Sequence, residues 1–311
     1  EDGEGAAVAL VGEVGAGKTS WMRAFAAKRP DTRLLDIPPS MHEPGRLCRW
    51  LSKELDLAET SEPAELAERI AEAKIPAIFL DHGQNLYLRT IGGTEAFRAL
   101  KDVVALTQES TVWLCAFSQN AWLYLRSAAG GQSAFGRVVE LKGWNEERIR
   151  SLVEHRMRRA GATVSFESLL ETEAEGGARR RALERAKDEY FRLLWHYTDG
   201  NLRLALYFWL RSLQPTSRGL EVRLFTAPDA ESLESFHDET RFALAALILH
   251  GNLDAQELAT VLRWPEGRCH SLLALLQTRG ILEEKGHRYH VTVQWFRAVV
   301  RHLKRRRLLL R

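Results

Sequence analysis

The chain has 311 residues, 45% hydrophobic and 27% charged, enough for two or three domains with real cores at about 100–200 residues each. Its longest apolar stretch, Phe242–Leu249, falls far short of the roughly 20 residues a bilayer span needs, and no signal-peptide pattern opens it. Three scattered cysteines, Cys48, Cys115 and Cys269, form no metal-type pair and read as reduced thiols of a cytoplasmic protein.

The first strand, Ala6–Val11, is a continuous apolar run, as in a strand covered on both faces. It starts almost at once, which reads as a piece of a longer chain whose missing segments could tether it. A glycine-rich turn, Gly12–Gly17, leads into a helix at Lys18–Ala27 with Trp21, Met22 and Phe25 facing the core. A strand at Arg33–Ile37 is closed by Pro38 and Pro39. Helices follow at Glu43–Leu55 and Glu62–Ala73. The buried strand Ala77–Leu80 ends in Asp81, and a helix covers Glu95–Leu106. Strands at Thr111–Phe117 and Arg137–Leu141 complete the alternation, and Asn145 caps the next helix. Strands alternating with helices predict an α/β parallel sheet with helices on both faces. Residues 163–214 read as a helical lid that includes a solvated helix at Ala178–Leu194 with Arg179, Arg180 and Arg181. Residues 215–235 read as a linker.

The last part, 236–311, changes character. Helices are expected at Glu239–His250, Ala255–Leu262 capped by Asp254, and Pro265–Arg279. A hairpin follows, Ile281–Glu284 and Arg288–Val293 about Lys285-Gly286-His287, and then a final helix. Three helices and a hairpin describe a winged helix-turn-helix. This segment holds 13 Lys and Arg against seven Asp and Glu, although the net charge of the chain is only +3. Such asymmetry fits contact with phosphates or an acidic surface. A solvated helix end accounts for the basic terminus equally well.

Gly12-Glu-Val-Gly15-Ala16-Gly17-Lys18-Thr19 satisfies G-x-x-x-x-G-K-[ST] in its required setting, after a buried strand and before a helix. Glycines let backbone N–H groups approach phosphate oxygens without a Cβ in the way. The helix N-terminus, with Ser20 in its first turn, adds the positive end of its dipole. Lys18 then faces the β- and γ-phosphates and the Thr19 hydroxyl ligates Mg²⁺. The ligand expected is ATP with magnesium. Asp81 is the second metal-holding residue, in the Walker B position. The next residue would ordinarily be the glutamate that orients the attacking water; here it is His82.

The run Phe79-Leu-Asp81-His82-Gly83-Gln84-Asn85-Leu86 resembles the Asp-Glu-Ala-Gln-Asn-Leu signature of AAA+ ATPases, in the branch joining origin-recognition proteins, transposition regulators and secretion-type ATPases. The STAND switch ATPases are its neighbours. Ser118, Gln119 and Asn120 stand where that family has its sensor-1 polar residue. Phe135-Gly-Arg137-Val-Val-Glu-Leu141, followed by a capped helix and Arg156, resembles the branch's arginine-before-strand segment. Asp199-Gly200-Asn201-Leu202-Arg203 resembles its Gly-Asn-Pro-Arg sensor-2 helix, with Leu202 in place of proline. The resemblance implies that Ser118 or Asn120 touches the γ-phosphate or the lytic water. It implies that Arg203 reaches the γ-phosphate from the lid, and that Arg137, after the loop Gly130–Ser133, completes a neighbouring subunit's site, with Arg126 a rival for that role.

Two functions follow. One is an ATPase whose nucleotide state controls self-association and the engagement of DNA or a protein partner through the winged helix. The other is a hydrolysis-deficient nucleotide switch or scaffold, which His82 favours; a metabolite kinase would leave the C-terminal segment unexplained. For DNA, the readers available are Arg268, His270 and Gln277 on the third helix of this segment, with Lys285 and Arg288 on the hairpin.

Overall fold

The computed structural model describes residues 6–129, 135–170, 175–217 and 219–309. The chain divides into two compact units. One comprises residues 1–141, 235–292 and 300–311; the other comprises 142–234 and 293–299.

The first unit is built on a five-stranded parallel sheet. Its strands are β1 (Ala7–Gly12), β2 (Thr32–Asp36), β3 (Ala77–Asp81), β4 (Val112–Ser118) and β5 (Arg137–Leu141), in the order β2-β3-β4-β1-β5. Alternation along each strand separates two cores. Ala9, Val11, Ile78, Leu80, Trp113, Cys115 and Phe117 point to the larger one, shared with α2 (Pro44–Glu54), α3 (Pro63–Glu72), α4 (Glu95–Thr107) and α5 (Gln119–Ala128). Leu10, Phe79, Leu114 and Ala116 face the other way, onto Met22 of α1 (Lys18–Ala26). Met22 alone of the three apolar residues expected in the core of α1 is buried. Trp21 is 43% and Phe25 36% exposed, stacked on each other with centroids 5.4 Å apart. A nine-residue helix on this face has only a narrow buried stripe.

The C-terminal part of this unit contains α9 (Asp238–His250), α10 (Ala255–Leu262), α11 (Glu266–Thr278) and the hairpin β9 (Leu282–Lys285) and β10 (Arg288–Val291); of the helix that follows, α12 (Val293–Arg305), residues 293–299 belong to the second unit and the rest to this one. Asp254 and Glu257 form a reciprocal capping box at the start of α10, the arrangement that satisfies two orphan N–H groups at once. Lys285 pairs with Arg288 across a two-residue turn. Gly286 and His287 there have φ 58° and 63°, the left-handed pair that a type I′ hairpin requires.

The second unit packs α6 (Glu146–Arg159), α7 (Gly176–Thr198) and α8 (Leu202–Ser212) around Ile149, Val153, Phe191, Leu194, Phe208 and Trp209. It also has a three-stranded sheet in the order β6-β8-β7, from β6 (Val164–Ser165), β7 (Leu213–Thr216) and β8 (Gly219–Val222). These strands fall within the stretches that the sequence reads as a helical lid, 163–214, and a linker, 215–235. Pro215 is tolerated because β7 is an edge strand, and Gly219, at φ 129°, would drive a Cβ into the Thr163 carbonyl.

Candidate nucleotide-binding site

The carboxyl ends of β1, β3 and β4 bring the loop Gly12–Thr19, Asp81, His82 and Ser118 to one edge of the sheet, whereas Arg137, paired with Val8, stands at the amino end of β5. Gly12, at the end of β1, is opposite Ser118 on one side and Leu141 on the other. The loop that follows takes the shape its glycines allow. Gly15 and Gly17 have φ 88° and 99°, a region costly for residues with a Cβ, and a Cβ on Gly12 would press on the Leu141 backbone at 3.0 Å. Gly17 is the N-cap of α1. The first intrahelical bond runs from Trp21 N to Gly17 O at 2.9 Å. The N–H groups of Lys18, Thr19 and Ser20 therefore precede it and are the orphan donors of a helix start.

Lys18 bends back over this loop. Its Nζ donates to the carbonyls of Gly12 at 2.8 Å and Glu13 at 3.0 Å. Burial lowers its pKa to about 8, against the opposing pull of Asp81 and Glu13. A desolvated ammonium held only by loop carbonyls is a cation poised for a stronger acceptor, which a phosphate oxygen supplies. One helical residue on, the Thr19 hydroxyl donates to Asp81 Oδ2 at 2.5 Å. Asp81 is 5% exposed, and its other oxygen accepts from the His82 N–H at 2.8 Å. A hydroxyl and a buried carboxylate, both hard oxygen donors, converge beside the loop as a magnesium ion requires. The residues fit a nucleoside triphosphate with its metal.

His82 lies in the left-handed region, φ 59°. Its Nδ1 is 2.5 Å from Asp36 Oδ1 at the end of β2. Asp36 was not legible as a site residue; it arrives because β2 and β3 pair with Asp36 opposite Asp81. Gly83 follows because any Cβ there would collide with the Phe117 ring. Asn85 donates to the Ile37 carbonyl at 2.7 Å. Ser118 is buried and caps α5 by accepting from Ala121 N, while Asn120 is half-buried on the first turn of that helix. Arg137 is exposed at the start of edge strand β5, and Arg126 is exposed on α5. The loop Gly130–Ser133 lies outside the described residues.

In the second unit, Asn201 caps α8 by accepting from Leu204 N at 3.3 Å, and Arg203 is exposed on its first turn. Gly200, at φ 69°, lies against the backbone of Trp144, so close that a Cβ would overlap its carbonyl. Much of the Gly-Asn-Leu-Arg run thus has a local structural cause. Arg156 is exposed at the end of α6.

The candidate nucleic-acid readers are dispersed. His270 and Gln277 are exposed on α11. Arg268 is bonded to Glu239 and lies over the Trp264 ring. Lys285 pairs with Glu283 at 2.7 Å. Arg288 is not displayed at all. Its side chain is 14% exposed, and the guanidinium is bonded to Glu257 at 2.5 Å, Ser40 at 3.1 Å, Asp254 at 3.3 Å and Asn252. No helix among the described residues is long and apolar enough to cross a membrane.

Comparison with known proteins gives similarity at low identity. Cdc6p from Pyrobaculum aerophilum aligns over 98% of this chain and 89% of its own at 15% identity, with a TM-score of 0.47. The Aeropyrum pernix ORC2 protein aligns over 98% and 90% at 13% identity and 0.41. Domain III of the Thermotoga maritima replication initiation protein DnaA aligns over 68% and 77% at 17% identity and 0.40. No curated protein matches the sequence. Residues 2–121, which carry the phosphate loop, Asp81 and Ser118, match the family model described as an AAA domain.

Proposed function

We propose that the chain binds ATP with Mg²⁺ at Gly12–Thr19 and uses the bound nucleotide to control its own assembly and its engagement of DNA or a protein partner. The observation that carries this is the meeting of the Lys18 cradle with the Thr19–Asp81 pair. Thr19 and Asp81 would hold the ion, which when bound supplies charge neutralisation at the β- and γ-phosphates. Lys18 and the α1 N–H groups orient the triphosphate. Arg203 in the helical lid and Arg137 on the edge strand are the cations proposed to answer the γ-phosphate, from the same subunit and from its neighbour respectively. The segment α9–α12 with its hairpin is read as a winged helix and as the partner-binding part.

A second reading, a nucleotide switch that hydrolyses little or nothing, has its own observation. The position after Asp81 carries a histidine already engaged by Asp36, where a free carboxylate would orient water. The discriminating experiment follows phosphate release and particle mass by light scattering, with ADP, ATP and a non-hydrolysable analogue. Mass growth with both ATP and the analogue, reversed as phosphate appears, supports the assembly ATPase. Growth without phosphate release supports the switch, and a mass indifferent to nucleotide contradicts both.

A further inference from the structure

The face of α2 turned away from the core carries Arg46, Arg49, Trp50 and Lys53, spaced i, i+3, i+4 and i+7, so that they share one side of the helix. The opposite side buries Leu47, Cys48 and Leu51. The outward side is concave. Pro38, Met41, Trp50 and Leu57, with the three cations and Glu59, line a groove of about 510 Å³, within the roughly 300–1,000 Å³ range of small-molecule sites. Its floor is apolar: Met41 is buried, while Trp50 and Leu57 are half-buried against the core. Arg46, Arg49 and Lys53 are exposed and form no ion pair among the described residues. Arg46 has only the Ser40 carbonyl, at 3.2 Å.

Like charges at these helical spacings repel, and one carboxylate at the rim does not balance three cations. An aromatic ring flanked by unpaired guanidinium groups has a definite chemical complement, a flat aromatic group attached to a phosphate. The ring stacks on the base, and guanidinium groups take phosphate oxygens in bidentate geometry. We propose that this groove is a second nucleotide site, separate from the phosphate loop, for a nucleoside monophosphate or diphosphate. Trp50 stacks on the base, and Arg46, Arg49 and Lys53 hold the phosphate. No residue of Gly12–Ser20 lines it. The groove nevertheless touches the segment that follows Asp81, because Met41 N donates to the Asn85 carbonyl at 3.0 Å.

The test is equilibrium dialysis of labelled AMP against the whole chain with its phosphate loop first filled with a magnesium-bound non-hydrolysable ATP analogue, whose retention is followed by a second label. One further AMP per chain is expected. Arg49→Gln and Lys53→Gln, on exposed positions, should each weaken it about tenfold, the scale of one lost charge-assisted hydrogen bond, with unchanged thermal unfolding. Trp50→Phe should bind and Trp50→Ala should not. No AMP bound at millimolar concentration, or binding indifferent to Arg49 and Lys53, overturns the proposal. So does much tighter Arg49-dependent retention of a single-stranded oligonucleotide than of AMP, which would assign the groove to a nucleic-acid strand. If the loop itself does not take the analogue, the dialysis is read on the empty loop, and the Arg49 dependence still decides the groove.

Discussion

The Thr19 hydroxyl and the Asp81 carboxylate, 62 positions apart in the chain, meet at 2.5 Å beside the phosphate loop. Asp81→Asn keeps the shape but removes the charge that a divalent ion needs. Nucleotide affinity without magnesium should stay within about threefold of the parent, and the gain in affinity on adding magnesium should largely vanish. Titration with labelled ATP in magnesium and in a chelator checks this; an undiminished magnesium effect would place the metal elsewhere.

Removing Lys18 should separate stability from binding. Its pKa is depressed to about 8 by burial, below its unfolded value. Between about pH 8 and the unfolded pKa the unfolded chain therefore binds more protons, and stability rises with pH through that window. At neutral pH the charged lysine supports the unliganded fold less than a neutral one would. Lys18→Ala should leave the ligand-free melting temperature unchanged or raise it by about 1–3 °C, while abolishing the upward shift that nucleotide gives the parent. A lower ligand-free melting temperature would mean that the lysine's bonds to Gly12 and Glu13 outweigh its burial.

His250 gives the C-terminal segment a pH dependence. Burial pushes its pKa down to about 4, against the hydrogen bond to the Ala246 carbonyl. Its Nε2 accepts from the Arg89 N–H at 3.0 Å, and its ring stacks on Tyr87. A histidine neutral when folded and charged when unfolded contributes stability that is complete above its unfolded pKa and lost as pH falls from about 6.5 to 4. The loss attributable to His250 is about 2–3 kcal/mol. His250→Gln should flatten the denaturation midpoint across that window, whatever it does at pH 7.

Arg288 and Glu257 should behave as a structural pair. Although burial opposes it, hydrogen bonds from Ser40 and Arg288 hold the Glu257 carboxyl below its usual range. Arg288→Ala leaves that largely buried carboxylate short of its partner and should cost about 2–4 kcal/mol. Lys285→Ala, on an exposed rim, should cost under about 0.5 kcal/mol. If the hairpin touches DNA, Lys285→Ala is the variant that should lower retention in low salt. Equal stability of the two variants would show that the Arg288 network contributes little.

Local shape set by near neighbours in the chain was readable in advance. Gly15, Gly17, Lys18 and Thr19 form one turn into α1, and Asp254 caps α10, although the reciprocal bond of Glu257 was not foreseen. Asp36 was not readable, because its approach to His82 depends on the register of β2 against β3. Nor was Arg288. In sequence it is a cation on a hairpin, and only the packing of α10 and the Ser40 loop turns it inward. Trp21 and Phe25 misled because helical periodicity gives the direction of a side chain but not how much of the sheet stands opposite. Pro215 and Gly219 looked like linker residues, and they are the tolerated irregularities of a short edge hairpin.

The central claim, a triphosphate held by Gly12–Thr19, is tested most directly by calorimetric titration of magnesium-ATP into the parent chain and into Lys18→Ala. One ATP per chain is expected at this loop, with affinity reduced by about a hundredfold or more in the variant, the scale of one lost charged contact in a desolvated site. Equal affinity of the two proteins, or no binding to a folded parent, would contradict it.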